Sequence, residues 1–192
     1  HPKLLELPWT GIVCLAGGYA EINGHAIRDL SMTPSMLQRL APHLEQSGEV
    51  IRFEGLNGVV RMSADAPDAP GYARTLGDAV TQLQHYSVYK ILMSTSLANH
   101  IAQDKTLEPL LCFNELELEV TEISPRECTK RGGIQSALDA LDPHHGTVYG
   151  IGDASNDVSL MNAVDVGIAM GNAPDYLKDK ADYVTDTVDH DG

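Results

Sequence analysis

Apolar positions along this chain change period several times, and each change marks an element. Residues 11–15 form a short apolar run ending at Gly17-Gly18, which predicts a buried strand leading into a tight passage. Residues 20–27 read as a hairpin around Asn23-Gly24, a pair suited to the two positive-φ positions of a two-residue turn. Thr33-Pro34 offers an N-cap followed by proline at the first helical position, and Met36, Leu37, Leu40 and Leu44 recur on one helical face. Pro42 interrupts the middle of that helix. Strands are predicted over 50–53, 59–62 and 88–93, a loop over 63–70, a helix over 72–83 and another from Leu97. Residues 115–121 alternate strictly, with Leu116, Leu118 and Val120 on one face and Glu117, Glu119 and Thr121 on the other, as in a half-solvated antiparallel strand.

After Thr129 the texture changes. A helix over 129–141, a strand over 148–151, a helix over 156–163, a strand over 166–170, a helix over 174–181 and a strand over 183–185 follow in order. Strict alternation with short turns predicts a parallel sheet covered on both faces. The fold class is therefore α/β, with a mixed α+β lobe in the middle of the chain.

Composition narrows the function. The 192 residues carry a formal net charge of −14, so the chain lacks the basic face a nucleic-acid backbone requires. A hydrophobic content of 43% with 21% charged residues excludes a disordered acidic tail. The longest mostly apolar run, residues 11–20, is half of a membrane span. Cys14, Cys112 and Cys128 are odd in number and lack CxxC spacing, which suits a reducing compartment and makes the cytoplasm the expected location. The chain opens on His1-Pro2-Lys3 and closes on Asp189-His190-Asp191-Gly192, and is expected to be a piece of a longer protein.

Candidate chemistry concentrates in two segments. Gly150-Ile151-Gly152-Asp153-Ala154-Ser155-Asn156-Asp157 lies where a buried strand gives way to a helix, the place where open α/β sheets bind ligands. A dinucleotide fingerprint fails there, because Ser155 holds the third glycine position and Asp153 would repel a pyrophosphate. Asp153 and Asp157 can instead converge on a hard cation such as Mg²⁺, or merely cap the helix and complement its dipole. Thr129-Lys130-Arg131-Gly132-Gly133 opens a helix with two cations and two glycines, against local preference, which points to an anion at Lys130; Arg131 reads as solvent-facing. Lys130 is thus expected to face the same crevice as Asp153 and Asn156, with Gly132-Gly133 allowing close backbone approach.

At this point the chain resembles the haloacid dehalogenase-like phosphatases. Gly152-Asp153-Ala154-Ser155-Asn156-Asp157 is similar to their GDxxND motif, and Val166-Gly167-Ile168-Ala169-Met170-Gly171-Asn172-Ala173 continues the likeness. Residues 119–132 resemble the segment leading to the family's phosphate-binding lysine, here Lys130. Ala16-Gly17-Gly18-Tyr19-Ala20 before Asn23-Gly24 resembles the entry to the C2 cap of the Cof-type subfamily. The resemblance implies a partial Rossmann-like core over residues 1–26 and 123–192, with an inserted α/β cap over 27–122. It also implies catalytic roles for Lys130 and Asp153, Mg²⁺ ligation by Asp153 with support from Asp157, and substrate contacts from Lys130 and Asn156. The expected activity is Mg²⁺-dependent hydrolysis of a small phosphorylated metabolite through an aspartyl-phosphate, with no nucleic-acid or membrane partner; oligomeric state is not legible.

The family's DxDG[TS] nucleophile motif is expected to belong upstream of His1. Asp189-His190-Asp191-Gly192 spells DxDG but follows the polar Thr185-Asp186-Thr187-Val188, so it reads as a turn, a permuted nucleophile being the alternative. The chain by itself is accordingly expected to be inactive. The other readings are a non-catalytic phosphate-binding module and a phosphomutase. His144-His145 reads as a loop pair and Cys128 as a packing residue.

Overall fold

The computed structural model describes residues 9–56, 58–83, 87–116, 119–141 and 146–192. The chain divides into two compact units, one formed by the segments up to Asp29 and from Lys130 onward, the other by Leu30–Thr129.

The first unit begins with β1 (Gly11–Cys14), β2 (Tyr19–Ile22) and β3 (His25–Asp29), an antiparallel sheet in sequential order. The predicted Asn23-Gly24 turn joins β2 to β3 with φ of +50° and +76°, the pattern whose twist matches a hairpin. A 3₁₀ turn at Leu15–Gly17 links β1 to β2.

The second unit contains α1 (Pro34–Gln46), β4 (Ile51–Gly55), β5 (Gly58–Met62), β6 (Tyr72–Ala73), α2 (Leu76–Gln82), β7 (Lys90–Ser94), α3 (Thr95–Ile101), β8 (Leu111–Glu115) and β9 (Val120–Pro125). Thr33 Oγ1 accepts from the Met36 N–H at 3.2 Å, and Leu37, Leu40 and Leu44 are buried as their spacing predicts. The helix runs on through Pro42. The strands form one six-stranded sheet, β6-β5-β4-β7-β9-β8, antiparallel except for β5–β6. Its inner face contributes Ile51, Phe53, Val60, Met62, Ile91, Met93 and Ile123 to a core shared with the three helices.

Two local predictions change. The helix expected over 72–83 starts at Leu76, because Tyr72-Ala73 pair with β5 and Thr75 Oγ1 caps the Asp78 N–H at 3.1 Å. The single strand expected over 115–121 is a hairpin instead: β8 ends at Glu115, β9 starts at Val120, and the Leu116 N–H donates to the Val120 carbonyl at 2.7 Å. Turn residues such as Gly, Pro, Asn or Asp are missing from 116–119, so alternation ran unbroken across the reversal, with Glu119 carrying φ +59°. Glu117 and Leu118 lie outside the described residues. The limits of the two units, after Asp29 and after Thr129, fall outside β3 and β9.

The first unit resumes with α4 (Lys130–Ala140), β10 (Tyr149–Gly152), a 3₁₀ turn (Ser155–Asp157) running into α5 (Val158–Met161), β11 (Val166–Ala169), α6 (Asp175–Lys178) and β12 (Tyr183–Val184). β10, β11 and β12 form the expected parallel sheet. One face is nearly bare: a Cβ on Gly150 would lie 2.9 Å from Val164 Cγ1, and one on Gly167 2.9 Å from Met161 Sδ. α4 packs on the antiparallel sheet, where a Cβ on Gly133 would lie 2.5 Å from Val13 Cγ1 and 2.8 Å from Gly17 Cα. Gly133 thus serves helix packing rather than the approach of a ligand. Arg28 pins the same junction, donating from Nε to Gly17 O at 2.8 Å and from Nη1 to Ser136 Oγ at 3.2 Å.

Candidate active site

β10 ends in Gly152, and the chain turns at once into the 3₁₀ segment that carries Asp157 inward, to 4% exposure. A Cβ on Gly152 would sit 2.5 Å from Asp157 Cβ and 2.7 Å from its Cγ, so only glycine leaves room for this fold-back. Asp157 Oδ2 then accepts from the Asp153 N–H at 3.0 Å and the Ala154 N–H at 3.1 Å. Its other oxygen forms an ion pair with the Lys130 ammonium at the start of α4. Lys130 Nζ also donates to Asn156 Oδ1 at 3.4 Å and keeps 34% of its side chain exposed. Burial opposes ionisation of Asp157, but Lys130 and the two backbone N–H groups outweigh it and hold the carboxyl below its ordinary value.

Four sequence-predicted residues therefore meet at the carboxyl end of β10, in two different conditions. Asp157 has both oxygens committed internally. Asp153 is exposed, and its carboxylate has no hydrogen-bond or ion-pair partner among the described residues. A hard cation would find a free oxygen donor in Asp153 and none in Asp157 as it stands. No group of three His, Cys, Asp or Glu side chains is gathered for a metal among the described residues. Mg²⁺ retains several waters and takes one or two carboxylates plus substrate oxygens, so the donor chemistry of Asp153 fits it. Asp153 thus presents a free carboxylate, and Asp157 one committed to Lys130 and to the backbone of Asp153 and Ala154.

The loop after β11 completes this sheet end. The Met170 N–H donates to Gly152 O at 2.9 Å, fastening the loop to the residue before Asp153. Gly171 N–H donates to Asp186 O at 3.0 Å, and Asn172 Oδ1 accepts from the Val188 N–H at 3.2 Å. A Cβ on Gly171 would lie 2.6 Å from the Asp186 carbonyl carbon, so this glycine too is spent on close passage. Sequence reasoning had these residues only as part of a motif; the signal available was Gly-Asn directly after a strand. Asp189 and His190 lie in a 3₁₀ turn over Val188–His190, and Asp191 follows with φ +59°; all three are exposed, so this DxDG does not end a strand. Arg131 is exposed, Cys128 is buried with Sγ donating to Leu30 O at 3.2 Å, and His144-His145 lie outside the described residues.

Comparison with known proteins adds context to this geometry. The family of haloacid dehalogenase-like hydrolases matches residues 3–192. YkrA of Bacillus subtilis is 24% identical over 204 aligned residues, taking in all of this chain and 76% of its own length. The 5-amino-6-(5-phospho-D-ribitylamino)uracil phosphatase YcsE of the same bacterium is 35% identical over 83 residues, 40% of this chain and 33% of YcsE. Among solved structures, a subclass IIB sugar phosphatase superposes with a TM-score of 0.74 at 17% identity, covering 95% of this chain and 72% of that one. The chain shares that fold.

Proposed function

The chain belongs to the haloacid dehalogenase-like hydrolases, and from that membership we propose that the complete protein is a Mg²⁺-dependent phosphomonoester hydrolase acting on a small phosphorylated metabolite. In this reading the first unit is the Rossmann-like core and the second an inserted cap that selects the substrate. The observation that carries it is the division of labour at β10: Lys130 presents an ammonium held by Asn156 and Asp157, and Asp153 presents an uncommitted carboxylate at the same strand end.

Lys130 neutralises and orients the phosphate oxygens. Asn156 shares its Oδ1 with that ammonium and offers its amide to the substrate. Asp153 holds the cation, and Asp157 fixes both Lys130 and the peptide of Asp153. Mg²⁺ at such a site would offset the charge that builds on the transferring phosphoryl group. The aspartyl-phosphate that the family resemblance implies requires a nucleophilic aspartate from outside the described residues. YcsE and the sugar phosphatase, both named for phosphorylated small molecules, support that substrate class.

The test is phosphate release from p-nitrophenyl phosphate and a panel of sugar phosphates by the complete gene product with Mg²⁺, beside Asp153→Ala. Loss of about 10²–10³-fold in turnover with unchanged folding supports the assignment. Unchanged turnover removes Asp153 from the site, and a transferred rather than released phosphate makes the protein a phosphomutase. A non-catalytic phosphate-binding role rests on the absence of a third carboxylate beside Asp153 and Asp157 among the described residues. Phosphate binding without turnover by the complete product is its signature.

A further inference from the structure

The second unit by itself brings together two histidines from different helices. His43 stands in the last turn of α1 and His100 in the last turn of α3, with ring centroids 5.4 Å apart and ring planes at 66°. Both rings line an open cleft of about 400 Å³ whose other walls are Pro42, Gln46, Ser47 and Leu97. Each ring therefore sits at the negative end of a helix, where a cation is favoured.

A carboxylate fixes one of these rings. Asp104 Oδ1 accepts from the Thr106 N–H and from Thr106 Oγ1, both at 2.8 Å, and its Oδ2 pairs with His43 Nε2 at 3.2 Å. A carboxylate ionised at neutral pH only accepts, so the proton of a neutral His43 ring sits on Nε2 and Nδ1 keeps the lone pair. A metal-binding imidazole has the same arrangement, donating its other N–H to a carboxylate that fixes ring and tautomer. Arg39 Nη1 donates to the Thr106 carbonyl at 3.1 Å and ties the loop that carries Asp104 to α1.

We propose that His43 Nδ1 and one ring nitrogen of His100 bind a single divalent ion of the Zn²⁺ class, with Asp104 as the outer carboxylate and water completing the shell. Spacing favours a shared ion over two separate imidazoles. Zn–N bonds of about 2.0–2.1 Å at a tetrahedral angle place two imidazole centroids about 5 Å apart, against 5.4 Å here. Neutral imidazole suits Zn²⁺ whereas Mg²⁺ takes oxygen ligands, so this ion differs in kind from the one proposed at Asp153. No three His, Cys, Asp or Glu side chains gather for one ion among the described residues, so the protein supplies two nitrogens. The site is then open and exchangeable, unlike the closed four-ligand shell of a structural zinc. Bound there, the ion ties the last turn of α1 to that of α3. All of these groups belong to Leu30–Thr129, so the ion binds whether or not the first unit hydrolyses phosphate.

Calorimetric titration of the complete gene product with ZnCl₂, in excess MgCl₂ to fill oxygen sites, tests this without reference to activity. Asp104→Asn keeps both ligands and is expected to weaken Zn²⁺ binding about tenfold or more. His43→Gln and His100→Gln are each expected to weaken it further, with the unfolding midpoint in EDTA unchanged. Paramagnetic Ni²⁺ should broaden the ring resonances of His43 and His100 together and ahead of the other histidines, a measurement that needs no variant. Zn²⁺ binding that is equal in the parent and in both histidine variants belongs to other side chains and overturns the proposal. So does loss in only one of the two variants, broadening of one ring without the other, or no binding at about 1 mM ZnCl₂.

Discussion

Lys130 and Asp157, 27 residues apart, form an ion pair in which the carboxylate holds the ammonium with one oxygen and the backbone of Asp153 and Ala154 with the other. This single side chain sets the position of a cation and of the peptide that carries the free carboxylate. Neither would hold its place without it, because Lys130 starts a helix where its charge opposes the dipole.

Asp157→Asn is expected to lower stability at pH 7 by about 2 kcal/mol, by weakening charge-assisted bonds to a buried group. The native carboxyl lies below its ordinary value, so its contribution is complete above an unfolded value of about 3.9 and is lost as pH falls through the folded value. Urea unfolding of both proteins should therefore show a gap at pH 7 that closes under strongly acidic conditions. A gap that persists there would deny Asp157 this role.

Gly152→Ala places a methyl group 2.5 Å from Asp157 Cβ and 2.9 Å from its Oδ2. The carboxylate must shift, and the expected cost is about 1–3 kcal/mol of overpacking together with loss of the Lys130 pair. A double-mutant cycle with Asp157→Asn measures the coupling. Strict additivity would mean that the two positions act separately.

Asp153→Ala is expected to leave thermal unfolding within about 0.5 kcal/mol of the parent, since the carboxylate is exposed and unpartnered among the described residues. The same change should lower Mg²⁺-dependent turnover of the complete protein about 10²–10³-fold. Calorimetric titration with MgCl₂ separates the two effects, and unchanged Mg²⁺ affinity removes Asp153 as a ligand.

In the second unit, Lys90 bridges Glu54 at 3.4 Å and the buried Glu122 at 2.5 Å across three strands. Burial works against the ammonium, but the two carboxylates outweigh it and raise its pKa. Its contribution is present below an unfolded value of about 10.4 and is lost only as pH rises through the higher folded value. Lys90→Met should cost about 3 kcal/mol at pH 7, by leaving the buried Glu122 without its cation, while Glu54 keeps Arg52 at 2.6 Å. Adding Glu122→Gln to Lys90→Met should recover part of the loss by removing the stranded charge; no recovery would point to packing alone.

Periodicity and short motifs carried much of this far without coordinates. The Asn23-Gly24 hairpin, the Thr33-capped helix and the parallel alternation after Thr129 follow from local preference or from a motif with one stereochemical solution. Tertiary structure decided the rest, because the deciding contacts join residues distant in sequence. Gly133 looked like room for a phosphate and is room for Gly17; Gly152, where a dinucleotide fingerprint failed, makes space for Asp157. Asp153 and Asp157 are chemically identical in the sequence, and only the folded chain commits both oxygens of one and leaves the other free. The Glu115–Thr121 alternation concealed a hairpin for the same reason, since a period-2 pattern reports which face a side chain takes but not the direction of the chain. Local spacing determines elements; the allocation of each polar group, which sets the chemistry, is settled only by what packs against it.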